Sequence, residues 1–323
     1  MSPAAEGREP RVRARAIAPS GTTRLAGVIG DPVRHSLSPR LHNAAYQGLG
    51  LDWIYAAFEV RPDDLAAAIE GARALGMVGL SVTMPHKEAV AKLATKRSAL
   101  VRRLGAANTI TFYGREVMAD STDGAGFLAD LRDWASFDPA GKRCGILGAG
   151  GAARSIVAAL ADAGAREILV VNRTAATAYR AAQLAPAGVG RVAKAEEIYD
   201  ADLVVNATPV GMRPFERRPV RGRPPRPGIL PARPDLSDPP AEPDQPLVDG
   251  SKFGPGQVVM DLVYDPLVTE WRMQAASNGA ETANGLGMLV HQAAAQIEIW
   301  SGSRPSVEEM KRAVRLGVPP GVH

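Results

Sequence analysis

The run Arg143-Cys144-Gly145-Ile146-Leu147-Gly148-Ala149-Gly150-Gly151-Ala152-Ala153 decides the fold class. Residues 143–147 read as a buried strand. The glycines turn it into a helix over 152–163, which Gly164 closes. Strand, glycine turn and helix in that order are the context in which Gly-x-Gly-x-x-Gly/Ala marks a dinucleotide site. Here the pattern is Gly148-x-Gly150-x-x-Ala153. Its first glycine makes the tight turn, its second lets a pyrophosphate approach the backbone, and Ala153 permits close helix–strand packing. Free amides at the helix start then face the anion. A bare strand–helix corner could use the same glycines, so the surroundings must decide.

Working outward, the next strand, 167–171, ends in Asn172-Arg173-Thr174. NAD sites usually place Asp or Glu there, on the ribose 2′-hydroxyl. This chain supplies a guanidinium instead, which suits a 2′-phosphate and predicts NADP over NAD. Two more strands follow at 202–206 and 258–262, then a long apolar-rich helix at 288–300 that also carries His291 and Gln292. Upstream, strands at 25–29, 54–60 and 78–83 alternate with helices at 40–49, 62–75 and 87–93, and a further helix spans 127–134. The alternation predicts α/β architecture with largely parallel sheets.

A length of 323 residues is a soft prior for two domains, each with its own core. No apolar run approaches the roughly 20 residues of a membrane span. The single cysteine, Cys144, excludes an intramolecular disulfide and fits a reducing compartment; next to apolar strand residues it reads as a small core side chain. The net charge of +4 does not point to nucleic acid. Its arginines gather at Arg8, Arg11, Arg13, Arg15 and after Met212, without interleaved aromatics. The N-terminus lacks a signal-peptide apolar core and carries Glu6 and Glu9, so a disordered tail over 1–23 and a cytoplasmic location are expected. About a third of 214–246 is proline, with frequent arginine. It has too few apolar groups to offset ordering entropy and reads as a loop insertion at about 213–247. Shortening 219–243 should leave fold and catalysis intact.

Four short segments are rich in hydroxyls, amides and charges at strand ends: His35-Ser36-Leu37-Ser38-Pro39 with His42-Asn43, Ser81-Val82-Thr83-Met84-Pro85-His86-Lys87, Ala107-Asn108-Thr109, and Ser121-Thr122-Asp123-Gly124. Two hydroxyls at i and i+2 in an extended loop can hold one carboxylate. Each segment alone would serve as turn or cap chemistry. Together, beside a dinucleotide fold, they suggest a pocket for a polyhydroxylated acid.

Over nearly all of residues 24–316 the chain resembles the shikimate dehydrogenase family. The matching runs include Gly30-x-Pro32-x-x-His35-Ser36-x-Ser38-Pro39-x-x-His42-Asn43, Val82-Thr83-x-Pro85-x-Lys87, Gly105-Ala106-x-Asn108-Thr109 and Thr122-Asp123-Gly124-x-Gly126. They continue through Gly148-Ala149-Gly150-Gly151-Ala152, Asn172-Arg173-Thr174, Asn206-Ala207-Thr208-Pro209-x-Gly211-Met212, Asp261-x-Val263-Tyr264-x-Pro266-x-x-Thr269 and Gly285-x-x-Met288-Leu289-x-x-Gln292. The resemblance implies an N-terminal substrate domain of residues 24–122 plus 285–323, completed by returning C-terminal helices. It implies a Rossmann-type doubly wound NADP domain over 123–284.

It further implies that Ser36, Ser38 and Tyr264 hold the substrate carboxylate, and that Ser81, Thr83, Asn108, Asp123 and Gln292 face the ring. Lys87 and Asp123 would form the catalytic pair. Gly148, Ala149, Gly150, Gly151, Ala152, Asn172, Arg173, Thr174, Thr208, Met212, Gly285 and Met288 would line the cofactor site. The implied reaction is NADPH-dependent interconversion of 3-dehydroshikimate and shikimate, by a monomer or homodimer that needs no metal, membrane or nucleic acid. His35, His42, His86 and His291 are not at ligand spacing. Two alternatives stand beside it: a quinate/shikimate or aminoshikimate dehydrogenase using NAD, and a non-catalytic metabolite-binding relative. The family's usual Asn is Ser81 in one segment and Ser121 in another, and Ala176-Thr177 stands where NADP-preferring relatives often add a second basic residue.

Overall fold

The computed structural model describes residues 19–213 and 246–315. Nearly all of the expected insertion, residues 214–245, and with it the expectation for 219–243, lies outside the described residues, as does most of the expected tail. The first part of the chain forms β1 (Arg24–Gly30), α1 (Ser38–Gly48), β2 (Trp53–Glu59), α2 (Leu65–Ala74), β3 (Gly79–Val82), α3 (Lys87–Leu93), β4 (Lys96–Arg97), α4 (Ala99–Leu104), β5 (Thr109–Tyr113) and β6 (Glu116–Asp120). The second part forms α5 (Asp123–Ala135), β7 (Arg143–Leu147), α6 (Gly151–Asp162), β8 (Glu167–Val171), α7 (Ala175–Ala182), β9 (Gly190–Val192) and β10 (Leu203–Asn206). After residue 246 come β11 (Val258–Asp261), α8 (Glu270–Ser277), β12 (Glu281–Asn284), α9 (Leu286–Ser301) and α10 (Val307–Arg315).

The first sheet has the order β2-β1-β3-β5-β6-β4. Because strand side chains alternate between faces, Ala26 and Val28 of β1 join Leu41, Tyr46, Val290, Ile297 and Met310 on one side. Ile29 joins Leu65, Ile69, Val90 and Val101 on the other. So α1, α9 and α10 cover one face, and α2, α3 and α4 the other. The expectation of a largely parallel sheet holds for β2, β1 and β3. It fails for β5, which runs antiparallel to both β3 and β6. Gly114, with φ 60°, supplies the positive-φ corner of that β5–β6 hairpin.

The second sheet is wholly parallel, in the order β12-β11-β10-β7-β8-β9. Counted from β7, this is the doubly wound 3-2-1-4-5-6 arrangement, whose crevice opens beyond the carboxyl ends of the paired strands β7 and β10. One face packs Phe127, Leu131, Ile156, Leu160 and Ala178. Val248, Phe253, Trp271 and Ala275 cover the other.

Several boundaries differ from expectation; the largest shift in a helix start is that of α5, which begins at Asp123 rather than residue 127. Helix α1 starts at Ser38 rather than residue 40, because Pro39 sits in its first turn, where a missing amide is harmless. The expected tail reached residue 23, yet the hydroxyls of Ser20, Thr22 and Thr23 all donate to the Asp52 carboxylate. Among the described residues no helix is long and apolar enough to cross a membrane.

Candidate active site

Each sheet opens a cavity at the carboxyl ends of its strands, where open α/β sheets bind ligands. The cavity over the second sheet measures about 330 Å³. Gly148, Ala149, Gly150, Gly151 and Ala152 line it from the β7–α6 corner, Asn172 and Arg173 from the end of β8, and Thr208 from the end of β10. Gly148 has φ +104°, and a Cβ there would lie 3.1 Å from the Ala207 carbonyl oxygen, so only glycine makes this turn. Above Gly150 no atom comes within 4 Å of the place a Cβ would take. No side chain caps α6, whose first turn borders the cavity. Open backbone, helix amides and the Arg173 guanidinium suit a dinucleotide with a 2′-phosphate.

Asn172 is held in place: its Nδ2 donates to the Thr174 carbonyl at 3.1 Å and to Thr177 Oγ1 at 2.7 Å. Thr177 Oγ1 accepts from Asn172 and donates to the Thr174 carbonyl at 2.8 Å, so its proton is committed within this turn. Thr174 and Met212 border neither cavity. Thr174 is the residue before α7, and the Met212 amide closes a turn on the Pro209 carbonyl.

The cavity over the first sheet is smaller, about 150 Å³, and rich in polar groups. Ser36, Ser38, Ser81, Thr83, Tyr264 and Gln292 line it, with Gly285 and Met288 at the start of α9. Gly285 and Met288, expected at the cofactor, therefore stand on the hydroxyl-lined side. A Cβ on Gly285 would run into the Leu262 backbone, which accounts for the glycine independently of any ligand. Burial, and next the charge of Asp265, push the Tyr264 phenol up to about 12, so it keeps its proton as a donor. His35, also lining the cavity, is held below the usual histidine value by burial, with Asp265 opposing.

Two expected ring-facing residues work inside the protein. Asn108 is buried behind the wall; its Nδ2 donates to Asp123 Oδ1 and Gln292 Oε1, each at 2.8 Å. Ser81 accepts from the Tyr55 hydroxyl and donates to Gln296 Oε1, both at 2.6 Å. With its proton committed, the Ser81 hydroxyl can offer a ligand only an acceptor.

Lys87 and Ala152 belong to both cavities. Lys87 leads α3, just past the end of β3, and Asp123 leads α5. Lys87 Nζ lies 2.5 Å from Asp123 Oδ2, and the carboxylate is 3% exposed. An ammonium with one buried counter-charge thus stands where the two cavities meet. It can pass a proton to an atom in the hydroxyl-lined cavity while a reaction partner occupies the glycine-lined one.

A support network missed in the sequence joins the loops after β10 and β11. Buried Asp261 accepts from Thr269 Oγ1 at 2.5 Å, Asn206 Nδ2 at 3.0 Å and the Val263 amide at 3.1 Å. Asn206 Oδ1 in turn accepts from Thr208 Oγ1 at 2.6 Å. Thr208 in one cavity and Tyr264 beside the other are fixed from one carboxylate. Its trace in the sequence was the polar Asn206 and Asp261 closing apolar strands.

Comparison with known proteins accords with this geometry. Residues 28–110 match the family described as "Shikimate dehydrogenase substrate binding domain", 134–222 "Shikimate / quinate 5-dehydrogenase" and 285–315 "Shikimate 5'-dehydrogenase C-terminal domain". A shikimate dehydrogenase (NADP(+)) of Methanopyrus kandleri is 42% identical over 301 residues, 90% of this chain and 95% of that protein. A crystal structure of a shikimate dehydrogenase in complex with NADP+ superposes with a TM-score of 0.78 at 34% identity, covering 92% of this chain and 96% of that one. A shikimate 5-dehydrogenase from Thermus thermophilus in complex with NADP(H) and shikimate gives a TM-score of 0.74 at 30% identity, over 90% and 98% of the two chains. With two cavities meeting at Lys87 and relatives alike over nine-tenths of its length, the chain belongs to the shikimate dehydrogenase family.

Proposed function

We propose that this protein is an NADP-dependent oxidoreductase that reversibly reduces 3-dehydroshikimate to shikimate, within the shikimate pathway of aromatic amino-acid biosynthesis. The observation that carries the proposal is the Lys87–Asp123 pair at the junction of a glycine-lined and a hydroxyl-lined cavity. We assign residues 24–122 with 285–323 to the substrate and 123–284 to the cofactor, in a cytoplasmic enzyme that is a monomer or homodimer.

In this assignment Gly148–Ala152 and Thr208 border the dinucleotide, and Arg173, steadied beside Asn172, takes the 2′-phosphate. Bound NADPH supplies a hydride to the ring ketone. The substrate carboxylate rests on Ser36, Ser38 and the protonated Tyr264. Thr83, Asp123 and Gln292 face the ring hydroxyls, and Asn108 orients the latter two from behind. Lys87 Nζ gives its proton to the ketone oxygen as the oxygen becomes a hydroxyl. In the oxidative direction Nζ takes that proton back, and Asp123 Oδ2 holds the ammonium in line.

A spectrophotometric assay following NADPH formation from shikimate and NADP+ tests the proposal, with quinate and NAD+ as parallel arms. Turnover with shikimate and NADP+ is expected to give the highest kcat/KM. Absence of turnover with every pair would leave a non-catalytic binder, and preference for quinate or NAD+ would reassign substrate or cofactor.

A further inference from the structure

Helix α6 begins at the glycine loop, yet its first turns reach across to the substrate side at three places. Gly151 lies against the Lys87 side chain: a Cβ there would stand 3.0 Å from Lys87 Cδ. The Arg154 guanidinium pairs at 2.5 Å with Glu88, the residue after Lys87. Ser155 Oγ accepts from the amide of Gly124, the residue after Asp123, at 3.0 Å, and lies 3.2 Å from Ser121 Oγ. Ser155 is 2% exposed.

The last contact has a specific physical role. The first amides of any helix lack intrahelical acceptors, and a side-chain oxygen usually supplies one from the residue before the helix. Helix α5 has Thr122 in that place, but its side chain makes no capping bond. Ser155 serves as the cap from another helix. An uncapped buried amide would be left without a partner, and the start of α5, which carries Asp123, would lose its fixed position.

We infer that Arg154 and Ser155 are positioning residues that align the two halves of the proton-transfer pair from the cofactor helix. Successive residues of α6 hold the neighbours of Lys87 and of Asp123. The element that meets the dinucleotide phosphates is thus the one that sets the distance between ammonium and carboxylate. This inference rests on the assignment of Lys87 and Asp123 as the acid–base pair.

The test compares Ser155→Ala, Ser155→Thr, Glu88→Gln and Lys87→Ala in the full-length enzyme, reading kcat, KM for NADP+, the solvent deuterium isotope effect on kcat, and the melting curve. Misplacing a catalytic group by about 1 Å can cost on the order of 10²-fold. A folded Ser155→Ala enzyme should therefore lose roughly 10- to 10²-fold in kcat. Its KM for NADP+ should stay within about two-fold and its isotope effect should rise, because proton transfer has become slower. Ser155→Thr, which keeps the hydroxyl, should recover most of the rate. Glu88→Gln, at a half-exposed position, reads the other arm in a protein whose folding is not at stake; a pair exposed at its carboxylate end but largely buried at Arg154 predicts a loss of about two- to five-fold in kcat with the same isotope signature.

If Ser155→Ala folds and keeps wild-type kcat and isotope effect while Lys87→Ala is inactive, the positioning role is overturned and the acid–base assignment stands. If Lys87→Ala itself turns over normally, it is the acid–base assignment that falls. Should Ser155→Ala not fold, an unchanged kcat and isotope effect in Glu88→Gln overturns the inference.

Discussion

Lys87 enters its site from the first turn of α3, with its stem along Gly151 and its ammonium on Asp123. Removing the ammonium while leaving the rest of both cavity linings in place should separate chemistry from binding. Lys87→Ala is expected to retain shikimate and NADP+ binding by calorimetry while kcat falls by about 10²–10⁴-fold, the usual worth of general acid–base help. A variant keeping most of its kcat would exclude Lys87 as proton donor. Arg173 offers a second separation. A charged hydrogen bond contributes roughly 1.5–3 kcal/mol, so Arg173→Ala should raise KM for NADP+ by about 10- to 150-fold and leave NAD+ nearly unchanged. Equal effects on both cofactors would show that the guanidinium does not read the 2′-phosphate. Lys87 and Arg173 stood out in the sequence as charged groups shortly after strand ends, whereas the pairing of Lys87 with Asp123 came from the family resemblance. Asn108 was legible as polar but not as a strut, and Ser155 not at all, since its partner amide is 31 residues away.

Helices α5 and α9 pack face to face and carry Asp123 and Gln292 respectively. Between them lies Asp130, 4% exposed, whose carboxylate occupies the space a Cβ on Gly287 would need. Burial, with added repulsion from Asp133, pushes this carboxyl up to about 7, while Lys311 and the Met288 amide oppose the shift. Its folded value lies above its unfolded one, so its contribution to stability is full below about pH 4 and is lost as pH rises through about 7. Asp130→Asn should therefore raise Tm more at pH 8 than at pH 5, with the His291–Asp133 and Lys311–Asp133 pairs retained. An equal offset at both pH values would count against a buried, reluctant charge at this position. At this scale the strands and helices with clear apolar periods were legible. The β5–β6 hairpin was not, because its buried positions include Thr109 and Thr111, and threonine reads equally as loop. Helix α7, alanine-rich with few large apolar groups, escaped for a similar reason.

Across the whole molecule the chain passes between the two sheets at 121–122 and again at 284–285, and both passages border the proposed site. The two-domain division was legible because a dinucleotide fingerprint midway along the chain leaves a complete α/β pattern before it. The return of the last helices followed from family resemblance, since no local pattern says which sheet α9 will cover. That return has a consequence for how the protein is made. Ala26, Val28, Trp53 and Tyr55 are made early, but Val290, Ile297 and Met310, which cover them, are made more than 200 residues later. At about 5–20 residues per second the first sheet waits on the order of tens of seconds with an apolar face open to water, a surface that chaperones or unwanted neighbours can bind. The second sheet, although synthesised later, has nearly all of its cover by residue 284. A chain ended after Asn284 should show slow hydrogen exchange in β8 and β10 and fast exchange in β1 and β2; equal protection in both sheets would refute this. The order of closure is then expected to run against the direction of synthesis, with the second sheet covered before the first, whose covering helices are made after it.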